Sequence, residues 1–148
     1  MIPSDLPAGR ELDALIAEKV MGLPPEQWRH DAPGCEDIYY NVCNRCGLSQ
    51  NSKSDAEFYQ ERCPEPAPYS TDIAAAWLVV EKLRLAVVSG DDPKDGSHGY
   101  WAGVPVPLGG NMEDWRGADT APLAICRAAL AAAQTFLTIS QDNANRPA

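Results

Sequence analysis

Tyr69-Ser70-Thr71-Asp72-Ile73-Ala74-Ala75-Ala76-Trp77-Leu78-Val79-Val80-Glu81-Lys82-Leu83 reads as one helix with its own start signal. The side-chain oxygens of Ser70, Thr71 and Asp72 can accept from the N–H groups that a first helical turn leaves without partners. Ile73, Ala76, Trp77, Val80 and Leu83 then recur at helical spacing as one apolar stripe. Leu78 and Val79 widen it, and Glu81 and Lys82 are the only charges before Arg84. A helix apolar over most of its circumference is buried on more than one side, so this one is expected at the centre of the fold.

Upstream, Arg10 to Met21 predicts a first helix. Leu12, Leu15, Ile16 and Val20 share a face, with Glu11, Asp13 and Glu18 largely outside it. Gly22 is its stop, and Pro24-Pro25 prevent a restart. Downstream, Leu85-Ala86-Val87-Val88-Ser89 predicts a strand, and the turn formers of Gly90 to Gly96 lead into a second strand from Gly99 to Leu108. Pro105 and Pro107 deny that strand donors towards one side, which predicts an edge strand in its second half. Asp119 or Thr120 is placed to cap a last helix, with Pro122 tolerated in its first turn. Leu123, Cys126, Leu130, Ala133 and Leu137 lie along one side of it, and a polar, frayed tail is expected after Ser140. The hairpin alone would be marginal, so it must pack on the helices, with room for a further short strand. The class is α+β, with three main helices and a short antiparallel sheet built on a β-hairpin.

The 148 residues suit a single domain over 1–148 that buries its own core. A net charge of −9 argues against general affinity for phosphate backbones and fits solubility or a basic partner. No run is apolar enough to span a membrane. Met1-Ile2-Pro3-Ser4-Asp5 lacks a basic region followed by an apolar core, so a cytoplasmic location is expected. In a reducing compartment, spaced cysteines more often hold metal than form disulfides.

Residues 30–68 break the pattern. Apolar periodicity fades, four of the five cysteines gather there, and Pro64, Pro66 and Pro68 stiffen the exit. Ile38, Tyr40 and Val42 alternate as a short strand would, and Asp55 to Arg62 can add a helical turn or two. Cys43-Asn44-Arg45-Cys46-Gly47 is the strongest site signal, because two thiolates three positions apart in a tight turn can grip one Zn2+. Cys35 and Cys63 complete a four-cysteine set, with His30 as the alternative to Cys35 and His98 behind it. Four protein ligands leave no open position, so the metal's role is structural. Between residues 30 and 66, seven acids stand against three bases, the wrong sign for tracking nucleic acid.

Three segments together resemble the phage ABA sandwich domain: Gly9 to Gly22, Tyr69 to Leu83, and Ala118-Asp119-Thr120-Ala121-Pro122-Leu123-Ala124-Ile125-Cys126-Arg127-Ala128-Ala129-Leu130. That resemblance covers most of the chain outside residues 23–68 and the tail. It implies a small α/β/α sandwich encoded by a phage or prophage and acting in a bacterial host cell, and it implies no activity.

The remaining constellations are weak. Ser70-Thr71-Asp72 can present N–H groups to a phosphate, but Asp72 would repel one, and capping is the plainer account. Asp91, Asp92, Asp95 and His98 sit in what reads as a solvated turn. Cys126 lies mid-helix on an apolar face, as a structural cysteine does. No phosphate-cradling glycine loop, HExxH or GxSxG is present. The expected function is therefore a non-enzymatic accessory protein that binds a host or phage macromolecule, with inhibition of a bacterial defence system as one such role. The alternative is a binder of a small ligand such as a nucleotide signal, and behind both stands a small enzyme using the Asp91–His98 loop. Self-association is compatible with each.

Overall fold

A computed structural model describes residues 6–29, 43, 46, 63–91, 95–110 and 114–144. The first helix, α1, spans Arg10–Leu15 and runs on as a π-helical turn over Ile16–Val20, closed by the Met21 amide donating to the Ile16 carbonyl at 3.0 Å. On the face that periodicity picked out, Leu12, Ile16 and Val20 are buried and Leu15 is half-buried, and Ala17 is buried beside them. Gly22, at φ 69°, ends the helix in the left-handed conformation that glycine adopts without steric cost. Pro25–Gln27 then make a single 3-10 turn. Asp13 departs from expectation: it is buried, not solvated.

Helix α2 spans Ile73–Leu83, and the Asp72 carboxylate caps it by accepting from the amides of Ala74 (2.7 Å) and Ala75 (3.2 Å). At its other end Arg84 takes a left-handed conformation, φ 56°, and the Leu85 amide donates back to the Val80 carbonyl. The stripe it buries is not the one its large side chains suggested. Ala75, Ala76, Val79 and Val80 face inwards, whereas Ile73 (53%), Trp77 (50%) and Leu78 (38%) remain exposed. The small residues let α2 approach its neighbour closely, and that contact sets the helix's rotation. It is buried on one side, and it is not the centre of the fold.

The strands Ala86–Asp91 (β1), His98–Gly103 (β2) and Arg116–Ala118 (β3) form a three-stranded antiparallel sheet in the order β1-β2-β3. Val88 faces Trp101 and Asp91 faces His98 across the hairpin, and Trp101 faces Gly117 on the other side. The second strand is therefore central and stops at Gly103, correcting the edge strand expected to reach Leu108. Pro105 and Pro107 cannot donate to a ladder, so the chain leaves the sheet and makes a 3-10 turn over Val106–Leu108.

Helix α3, Ala121–Ala144, occupies the centre. It packs on β2, β3, α2 and the π-helical turn. Leu123, Ala124, Ile125, Cys126, Ala128, Ala129 and Leu130 are all buried, so it is enclosed on several sides. It continues past Ser140 to Ala144, where a frayed tail was expected. The fold is α+β, with three helices and an antiparallel sheet among the described residues. Among the described residues no helix is long and apolar enough to cross a membrane. The strand expected over Ile38 to Val42 and the helical turns over Asp55 to Arg62 lie outside the described residues.

Candidate metal centre

Trp28 and Cys63 bring the two ends of the cysteine-rich segment together. The Cys63 amide donates to the Trp28 carbonyl at 3.0 Å, and the Trp28 indole N–H donates to the Leu23 carbonyl at 2.9 Å. Arg10 Nε meets the Glu65 carboxylate at 2.6 Å and its guanidinium also donates to the Pro64 carbonyl, tying the exit to α1. The Arg10 side chain is 60% exposed, so this ion pair orients the chain more than it stabilises it. Pro66, Ala67, Pro68 and Tyr69 then run buried into α2.

At this neck three sulfurs converge. The Sγ atoms of Cys43, Cys46 and Cys63 all lie within 4.8 Å of one another, with Cys43 and Cys63 buried and Cys46 half-buried. Cys43 Sγ stands 4.0 Å from Cys63 Sγ. A disulfide would bring two sulfurs to about 2.05 Å. Two thiolates bound at about 2.3 Å to one tetrahedral ion stand about 3.8 Å apart, close to the spacing observed. The Cys46 amide points at Cys43 Sγ at 3.5 Å, the arrangement expected when a tight CxxC turn aims its N–H groups at a thiolate. The donor set therefore fits a metal ion. Of the expected ligands, Cys43, Cys46 and Cys63 are brought together, while Cys35 and the alternative His30 lie outside the described residues.

The other candidates find ordinary partners. Asp72 occupies the first amides of α2, and Ser70 is buried, its Oγ accepting from the Gly9 amide at 2.9 Å. His98 Nδ1 lies 3.2 Å from Asp91 Oδ1, both side chains exposed, and its ring meets Tyr100 edge-on. Asp95 accepts from the Ser97 hydroxyl (2.6 Å) and amide (2.9 Å), which hold its carboxyl below the usual range, the hydroxyl contributing most. Cys126 is fully buried, and desolvation, reinforced by the Asp13 charge, pushes its thiol far up. A thiol so held is a poor nucleophile.

Sequence reasoning missed one polar centre. Asp13 Oδ1 accepts from the Ser70 amide at 2.7 Å, locking α1 to the approach of α2. Tyr69, next to that bond, has its phenol raised from 10.0 to about 12, first by burial and then by Cys126 and Asp13. The cluster joins α1, the approach to α2 and α3 inside the core.

The family model of the phage ABA sandwich domain matches residues 14–130 of this chain. Among solved structures, a phage protein from Bacillus cereus ATCC 14579 is 27% identical, over 88% of this chain and 97% of that one, with a TM-score of 0.44. No curated protein matches.

Proposed function

Because the chain belongs to the phage ABA sandwich domain family, we propose that it is a phage accessory protein that works by binding a host or phage protein, without chemistry of its own. Such a protein acts in the cytoplasm of the bacterial host, and interference with a defence system is one role open to it. A single Zn2+, held by Cys43, Cys46 and Cys63 with Cys35 as fourth ligand, fixes the cysteine-rich segment as a rigid surface on an α/β/α body. The observation that carries this reading is the convergence of three thiols at the neck of that segment. Sulfur-rich closed sites are the structural kind, and their binding free energy, about 10–16 kcal/mol, is folding free energy. Family membership and the covering of one sheet face by α3 support the rest.

Native mass spectrometry of the chain purified without chelator tests the site. One zinc per chain is expected, lost in Cys43→Ser and in Cys63→Ser; a metal-free, fully reduced parent chain sinks the metal reading. Partner capture is then compared between the zinc-loaded and chelated chain. Capture that ignores chelation removes the metal-fixed surface as the binding element.

A further inference from the structure

On the sheet, a groove of about 320 Å³ remains unaccounted for. Ala102 is fully buried, so its neighbour Trp101, 42% exposed, projects from the opposite face of β2. The Trp101 ring lies across Gly117 so closely that a Cβ there would come within 2.6 Å of it. Gly99 and Gly117 leave the floor bare of side chains, and Asp119 and His98 stand at the wall. Asp95 joins the rim through Ser97, and Asp91 through His98. Among the described residues no lysine or arginine lines the groove, and Arg127 donates to the Gly117 carbonyl from α3. An indole, a glycine floor and carboxylates, on a chain of net charge −9, make a receptor for a flat or slender cation and repel an anion.

We propose that this groove takes an arginine or lysine side chain of a basic protein partner, stacked on Trp101 and paired with Asp119. The assignment rests on the partner-binding reading above and deepens it by naming the partner's chemistry. The guanidinium suits the site best, because its planar face stacks on an aromatic ring while its edge donates to a carboxylate. Charges at the rim steer a basic surface towards it, and association weakens as salt rises.

The test is a titration of the full-length, zinc-loaded chain with an acetylated, amidated three-arginine peptide, followed by nitrogen–proton NMR. The Trp101 indole N–H and the Gly99 and Gly117 amides are expected to shift together. Asp119→Asn, which keeps shape and removes charge, is expected to weaken binding roughly tenfold, and Trp101→Ala by a similar factor. A three-glutamate peptide should leave those signals in place. Shifts that miss Trp101, or an Asp119→Asn chain that binds as tightly as the parent, overturn the proposal. Partner capture is measured separately, so that result would leave the wider reading standing.

Discussion

Asp13 holds the first helix to the second through one bond to the Ser70 amide, 57 residues away in sequence. Helical periodicity assigns any carboxylate to the solvent side, and no local pattern marks a partner that distant, so its burial was illegible. The cysteines were the opposite case. Thiol chemistry and the CxxC spacing named Cys43 and Cys46, with Cys35 and Cys63 to complete the set, and the sulfurs of Cys43, Cys46 and Cys63 lie together. Removing Asp13 strands a buried amide, which costs about 1–3 kcal/mol. Asp13→Ala is therefore expected to lower the urea midpoint by that free energy, with Asp13→Asn, still an acceptor, losing less. An unchanged midpoint would mean that the amide finds another partner.

Among the elements, α2 shows where pattern reading stops. Its bounds and cap followed from Asp72 and from the helical spacing of apolar residues. Its rotation did not, because an apolar helix with alanines on one side and Trp77 on another can seat either against a neighbour. Close approach to alanine-rich α3 was the winning contact. Trp77→Gln is accordingly expected to change stability by no more than about 0.5 kcal/mol, as an exposed substitution does. Ala76→Leu, forced into the α2–α3 contact, is expected to cost about 1–3 kcal/mol. Urea melts of the two variants check this, and the reverse order would place the wrong face inside. The prolines after Gly103 teach a similar lesson: they were read as making an edge, and they end the strand instead.

At the scale of the whole molecule, the order of helix and strand patterns foresaw an α+β core but put the wrong helix, Ile73–Leu83, at its middle. α3 is enclosed because its alanines let sheet and helices close in from several directions, a property of the neighbours' placement that its own sequence does not state. The same enclosure ties global stability to pH. Tyr69 and Cys126 stay protonated when folded, whereas the unfolded chain releases those protons from their ordinary values of 10.0 and 9.0 upwards. The unfolded state is thus favoured as pH rises. Stability should hold below pH 9 and fall from there through about 12, where the Tyr69 phenol ionises in place. Tyr69→Phe, followed by chemical denaturation across pH 8 to about 11, is expected to flatten the fall above pH 10. A last consequence concerns chain length. Trp28 and Cys63 meet through a backbone hydrogen bond, so the two ends of the stretch between them lie side by side. The entropy of closing such a loop grows only with the logarithm of its length, about 0.6 kcal/mol per doubling. A change in the number of residues between Trp28 and Cys63 would therefore cost the fold little closure entropy, as long as the backbone bond that joins its two ends is kept.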